Sequence, residues 1–450
     1  MFISRIKRFF TSGDGRTIAV KRNVFASFGI KGVSILISFA LVPLTIGYVS
    51  AELYGVWLTL SSILAWMSFL DIGLSQGLKN KLTEAIAKND WERGKSLVST
   101  TYFTMVIIFI PVCILLEALV PFISWSSLLN VDVSYETEIR ETLLVLIAMI
   151  CLQMVVNVLV SVIAAFQKVA LSNMFVPIGN VISLVIIFVL TKVYVPSLVA
   201  LALSLAAMPI VVTTIASIVL YFGKFRKVAP SFSAIKLSYI KSLIGLGWKF
   251  FFINIQVVVI YQSTNILISH VSSPNEVTTY NIAYKLMSVA MMIYNIIAAP
   301  LWPAYTDAYA RNDFEWMKNM RKKMVRILGY SIAGCILIAV LSKYIYLVWI
   351  GDRVNVPYAM TAIVCLYVCV FCWSNLNGTI IAAMGKLRVN VIIMSIGLCL
   401  HIPLSFFLSS YVGCYGVITS MIVISFFYAV VHHIQVVKLL NKTAKGVWVK

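Results

Sequence analysis

The 450 residues are 61% apolar and 12% charged, and 36 Lys and Arg against 16 Asp and Glu give a formal charge of +20. Soluble domains are about half apolar and a quarter charged, so this composition excludes a soluble globular protein and describes an integral membrane protein.

The first 23 residues carry Arg5, Lys7, Arg8, Arg16, Lys21 and Arg22, with Phe2, Ile3, Ile6, Phe9 and Phe10 set among them. They hold no compact apolar core with a small-residue cleavage site, so no cleavable signal peptide is expected. The segment reads either as a short helix on the membrane surface or as a loose basic tail. A bilayer core needs about 20 apolar residues per helix. Twelve runs meet that need: 24–50, 53–78, 97–123, 141–165, 174–191, 198–221, 242–269, 278–304, 327–349, 358–384, 389–409 and 414–437. No large soluble domain is expected.

Four spans carry polar faces. In span 1, Lys31, Ser34, Ser38 and Thr45 share a helical face. In span 2, Trp57, Ser61, Ser68, Asp71 and Ser75 do so. In span 7, Asn254, Tyr261 and Asn265 align, with Lys249 a turn nearer the inner end; in span 8, Asn281, Lys285, Ser288, Met292 and Asn295 align. An offset of 224 places Ser61 on Lys285 and Asp71 on Asn295. Ser, Thr and Asn in a span more often join helices than bind ligand. A charge in mid-span is costly unless it faces protein or water, which makes it a functional candidate. The cavity candidates are therefore Lys31, Asp71, Lys249 and Lys285, with Asn254, Asn265, Asn281 and Asn295 beside them. Three lysines against one aspartate suit cargo bearing phosphate or carboxylate. For Lys249 and Lys285 the competing reading is snorkelling to the surface. Lys31 and Asp71 each lie about 12 Å from the inner side by helical rise, so an ion pair between them is expected.

Orientation follows from the basic residues. With the N-terminus inside, the inner segments hold 29 of the 36 Lys and Arg, the outer segments hold four (Arg140, Lys192, Lys343 and Arg353), and three lie in spans. This asymmetry puts both termini in the cytoplasm. It also explains the net charge without a nucleic-acid partner. The outer segment 124–140 is acidic, with Asp132, Glu136 and Glu138.

One charged stretch occurs twice. TEAIAKNDWERGK at 83–95 and TDAYARNDFEWMK at 306–318 are identical at seven of thirteen positions, 223 residues apart. IAAFQK at 163–168 is echoed by IAAMGK at 381–386. A stop signal made only of charge would not keep Thr, Ala, Asn and an aromatic in register. Two six-span repeats of the same orientation imply an all-α membrane fold of twelve helices in two lobes. The lobes are related by a pseudo-twofold axis along the membrane normal, with a central cavity. The expected divisions are a basic cytoplasmic segment at 1–23, a lobe at 24–221, a linker at 222–241, a lobe at 242–437 and a basic tail at 438–450.

The eight cysteines fall in or beside apolar runs and read as reduced packing residues, with no metal site. The histidines, His270, His401, His432 and His433, have no Ser, Cys or carboxylate at a catalytic spacing, and His432 and His433 are expected to face the interface. There is no GxxxxGK[ST] phosphate loop, so the chain is not expected to be an ATPase. No enzyme activity and no cofactor are expected.

The run PLTIGYVSAELYGVWLTLSSILAWMSFLDIGLSQGLKNKLTEAIAKND, residues 43–90, resembles the start of the bacterial polysaccharide transporter family, the Wzx-type O-antigen flippases. The matched features are Pro43, the pair Tyr54-Gly55 and the DIGL of Asp71–Leu74. The resemblance implies the multidrug/oligosaccharidyl-lipid/polysaccharide exporter fold in the bacterial cytoplasmic membrane. It implies a polyprenyl-pyrophosphate-linked oligosaccharide as cargo, moved from the inner to the outer leaflet by alternating access. Charged-cavity roles carry over to Lys31, Asp71, Lys249 and Lys285. The second half matches more loosely, with Asn295 at the position of Asp71 and no Tyr-Gly before span 8. The partners implied are the glycan lipid, membrane lipids, a proton or Na+ as coupling ion, and other polysaccharide-assembly proteins. Pro300 and Pro303 are candidate bend points. The repeated charged segments are read as short amphipathic helices on the inner surface, with Glu84 and Asp307 as gate candidates. Three alternatives stay open. A drug/cation antiporter of the same superfamily would want more acidic cavity residues than Asp71. A peptidoglycan-precursor flippase is barely separable by sequence. A membrane polymerase or ligase acting on lipid-linked sugar would want long outer loops.

Overall fold

The computed structural model describes the backbone of residues 15–71, 73–166, 168–298 and 301–449. Within these, the side chains of 15–28, 68–70, 76, 169, 170, 245–261, 296–298, 302, 303, 307 and 310 fall outside the described set. Among the described residues all regular structure is helical. The principal helices in the first half are α1 (Gly15–Tyr48), α2 (Ala51–Ala65), α3 (Leu74–Ala87), α4 (Trp91–Leu119), α5 (Glu136–Val156), α6 (Val158–Ala165), α7 (Phe175–Val193) and α8 (Met208–Phe222). The second half holds α9 (Ser238–Val271), α10 (Pro274–Ala298), α11 (Leu301–Ala310), α12 (Phe314–Trp349), α13 (Tyr358–Ala383), α14 (Arg388–Val412) and α15 (Cys414–Leu440).

Nine stretches among the described residues are long and apolar enough to cross a membrane, and they coincide with nine of the twelve predicted spans. The other three predicted spans fall on α2 with the segments that follow it, on α9 and on α10. Large apolar side chains such as Leu36, Ile114, Val219, Leu341 and Phe407 are exposed. In water so broad an apolar surface would drive aggregation; against lipid it is the expected outer face.

The chain divides into two compact units: residues 1–50, 63–127 and 132–255, and residues 51–62, 128–131 and 256–450. In the first, α4 buries Leu97, Val98, Met105 and Phe109. The predicted acidic outer segment works there as a set of helix caps. Glu136 accepts hydrogen bonds from the Ser126 and Trp125 amides at 2.6 and 3.2 Å, and Glu138 accepts one from the Leu198 amide at 2.6 Å. These carboxylates satisfy first-turn amides that have no partner within their own helix.

In the second unit, α15 is buried along most of its length, including Ser420 and Gln435. Its Ile424 and Tyr428 pack on Val389 and Ile393 of α14. The same unit explains Gly55 of the Tyr-Gly pair. A Cβ on Gly55 would overlap the Pro274 backbone at the start of α10. The Thr278 hydroxyl donates to the Ala51 carbonyl at 2.6 Å. Glycine is thus what lets the first turns of α2 and α10 approach backbone to backbone.

Candidate functional site: broken span, amide chain and repeated elbow

Span 2 is not one helix. The α-helix stops at Ala65, a 3-10 turn runs from Trp66 to Asp71, Gly73 takes a left-handed φ of 76°, and α3 starts at Leu74. A break inside a span frees backbone amides that lipid cannot satisfy. Asp71 meets that need: its carboxylate accepts from the Ser75 amide at 3.1 Å and from the Ser75 hydroxyl at 3.2 Å. The expected Lys31–Asp71 ion pair is therefore corrected. Lys31 lies exposed on α1, and among the described residues no ion pair joins the two. The restarting helix, rather than a lysine, claims the carboxylate.

Two of the predicted asparagines come together in the second unit. Asn265, buried on α9, donates to the Ser62 hydroxyl at 2.7 Å and accepts from the Asn281 amide of α10 at 2.8 Å. Asn281 also donates to the Val277 carbonyl at 2.8 Å. Ser62 replaces the predicted Ser61, whose hydroxyl is buried and finds no partner among the described residues. Asn295 stands apart, exposed, and accepts from Asn375 of α13 at 3.0 Å. Lys285 is half-buried on α10, where its carbonyl accepts from the Ser288 hydroxyl at 2.8 Å. The side chains of Lys249, Asn254 and Asp307 lie outside the described residues, as do Pro300 and the ring of Pro303.

The repeated segments are helix–turn–helix elbows, each beginning on a short helix, Leu74–Ala87 or Leu301–Ala310. Each ends one helix, turns through a single left-handed asparagine and starts the next. Asn89 has φ 55° and Asn312 has φ 57°. The Asp90 amide donates to the Ala85 carbonyl and the Asp313 amide to the Ala308 carbonyl, both at 2.9 Å. Each aspartate then caps the following helix, accepting from the Arg93 or Trp316 amide at 3.0 Å. Thr83 donates to the Ala165 carbonyl at 3.4 Å, and Thr306 to the Ala383 carbonyl at 3.1 Å. Those carbonyls belong to the other repeated motif, IAAFQK and IAAMGK, so the two echoes touch one another within each half. The matched residues are the ones geometry requires: Asn tolerates a left-handed turn, Asp caps, Thr tethers. Glu84, a gate candidate, is exposed and pairs within its own elbow, with Lys81 at 3.2 Å and Arg93 at 3.9 Å.

Other polar groups escaped the sequence. Arg321, two turns into α12, bonds the Asn377 side chain of α13 at 3.4 Å and meets His433 Nδ1 at 3.0 Å. His432 is corrected from an interfacial position to a buried one: it contacts Asn390 at 2.9 Å and Ser374 at 3.3 Å. The cause is the central place of α15 in its bundle. Asn375 and Asn377, two amides in an apolar run, were the available signal for α13 as a polar helix. In the turn after α6, the Lys224 ammonium beside Lys168, with partial burial, lowers the Lys168 pKa to about 8. The cysteines are free, and Cys335, Cys365 and Cys369 gather within 4.8 Å of one another.

These features define an all-helical, multi-pass membrane protein whose two halves use the same elbow. The match to the family described as polysaccharide biosynthesis protein covers residues 20–309, more than half of the sequence, and the chain belongs to that family. A relative from Yersinia pseudotuberculosis that carries the provisional name O-antigen export protein is 22% identical, over 81% of this chain and 83% of its own. One from Salmonella typhimurium, provisionally named an O-antigen transporter, is 20% identical over 86% and 89%. Among solved structures, the inward-facing conformation of a multidrug resistance MATE family transporter of the MOP superfamily superposes with a TM-score of 0.77. It is 12% identical and covers 94% of this chain and 100% of its own. The outward-facing conformation of such a transporter gives 0.65 at 12% identity, covering 94% and 96%. At these identities the structures establish the fold.

Proposed function

We propose that the chain is a flippase. It moves a polyprenyl-pyrophosphate-linked oligosaccharide, a repeat unit of O-antigen, capsule or exopolysaccharide, from the inner to the outer leaflet of the bacterial cytoplasmic membrane. It is a transporter and not an enzyme. The observation that carries this reading is the family match, joined to relatives named for O-antigen export that align over four-fifths of both chains.

The physical case supports it. A glycan and a pyrophosphate cannot cross hydrocarbon without partners for their polar groups. Polar helix faces with excess lysine substitute for water, and Lys31, Lys249 and Lys285 are the proposed contacts for the phosphates. The proposed architecture is twelve spans with both termini cytoplasmic, in two six-helix lobes at 24–221 and 242–437. The matched elbow contacts at Thr83 and Thr306 support the duplication. Alternating access by rocking lobes then needs no ATP. Asp71 is the proposed site of proton or cation coupling, since a change in its protonation would alter the cap of α3. Glu84 and Asp307 remain proposed gate residues, with Glu84 exchanging its elbow partners during transport.

A strain lacking the chain tests the proposal. It should accumulate the lipid-linked oligosaccharide and stop delivering its polysaccharide, and the wild-type chain should restore both. Normal delivery without the chain overturns the reading.

A further inference from the structure

We infer that the second unit holds a binding site for a soft monovalent metal ion of the copper(I) class, built from Cys335, Cys365, Cys369 and Met287. The cysteine sulfurs all lie within 4.8 Å of one another. Cys365 Sγ is 3.4 Å from Cys335 Sγ, and Cys335 Sγ is 3.7 Å from Met287 Sδ. Three helices supply them. Cys335 is on α12, Cys365 and Cys369 are one turn apart on α13, and Met287 is on α10. Met287, Cys335 and Cys365 are buried, at 0%, 1% and 6% exposure, and Cys369 is half-buried.

The spacing fits a metal. An ion about 2.3 Å from each of three coplanar sulfurs holds them about 4 Å apart. Closing on it needs side-chain adjustments of about half an ångström rather than a backbone shift. Among the described residues no histidine or carboxylate atom belongs to the group, so the donor set is all sulfur. Thiolate and thioether donors select copper(I) over the harder divalent ions, and the thioether of Met287 adds to that preference. Charge points the same way. A site inside apolar helices favours a neutral complex. A monovalent ion that displaces one thiol proton forms one metal–thiolate bond and leaves the site uncharged. The other two cysteines remain thiols, Met287 remains a thioether, and the released proton goes to solvent. Bound metal would tie α10, α12 and α13 together.

The test uses the full-length protein in detergent without oxygen, with copper(I) supplied against a coloured copper(I) chelator. A background in which the five other cysteines, Cys113, Cys151, Cys372, Cys399 and Cys414, are serine should retain a single copper(I) per chain. X-ray absorption should show sulfur as its only first neighbour, and one proton should be released. Cys335→Ser or Cys365→Ser should weaken retention at least about tenfold. Met287→Leu conserves volume, should stay folded and should also weaken it. Retention unchanged in all these variants, no retention against the chelator, or a preference for zinc(II) with two protons released overturns the site. Metal occupancy is read directly, so the result stands apart from the proposed transport.

Discussion

Replacing Asn89 and Asn312 separates the turn-forming role of the elbow from its charge. Both asparagines sit at a left-handed φ, 55° and 57°. Glycine occupies that region freely, whereas a β-branched residue there costs about 1–2 kcal/mol. Asn89→Gly and Asn312→Gly should therefore leave stability within a few tenths of a kcal/mol. Asn89→Val and Asn312→Val should each cost about 1–2 kcal/mol. The two elbows belong to different compact units, so their effects should add to about 2–4 kcal/mol, a shift of about 30-fold or more in the folding equilibrium. The neighbouring caps give a second scale: Asp90→Ala and Asp313→Ala should each cost about 1 kcal/mol, and Asp→Asn much less. The assay is equilibrium unfolding of purified protein in mixed micelles with increasing SDS, read by circular dichroism. Glycine variants as unstable as the valine variants, or valine variants as stable as wild type, would refute the assignment of these residues to the turn.

At Gly55, whose added Cβ meets Pro274 backbone, Gly55→Val should sharply lower the yield of folded protein. Gly334→Ala, in open space within α12, should stabilise by about 0.5–1 kcal/mol, and equal behaviour of the two variants would contradict the close approach. In a cysteine-free background, cysteines at Ser134 and Asn275 should react with an impermeant thiol reagent from outside; those at Asn89, Ser233 and Asn312 should not, and outside labelling at Asn312 breaks the parallel repeat. Asp71→Asn keeps an oxygen to accept from the Ser75 amide and should fold normally while losing transport or its pH dependence; wild-type transport with unchanged pH dependence removes Asp71 from coupling. Because Lys224 and burial lower Lys168 to about 8, charging Lys168 opposes folding: stability should rise as pH climbs from about 8 toward the ordinary lysine value, and Lys224→Gln should flatten that rise.

The spans were legible because lipid forces long apolar helices, and the nine stretches that qualify match predicted runs. The repeat was legible because its residues are those the turn, cap and tether demand. The break in span 2 was not: the apolar run continues through Trp66–Leu70, and only Gly73 and a capping Asp71 mark it. An aspartate in a span was read as a charge seeking a counter-ion, when the competing demand came from the amides of a restarting helix. Asn265 and Asn281 were found by their helical face, but their link to Ser62 depends on which helices meet. The sulfur cluster was likewise hidden, because Cys335 joins Cys365 and Cys369 only across two helices.

The most direct measurement is the leaflet in which the lipid-linked oligosaccharide resides. In cells depleted of the chain, the glycan should be protected from an impermeant carbohydrate oxidant added outside, and re-expression should make it reactive within the time of delivery. Glycan that reaches the outer face equally fast without the chain would contradict the account.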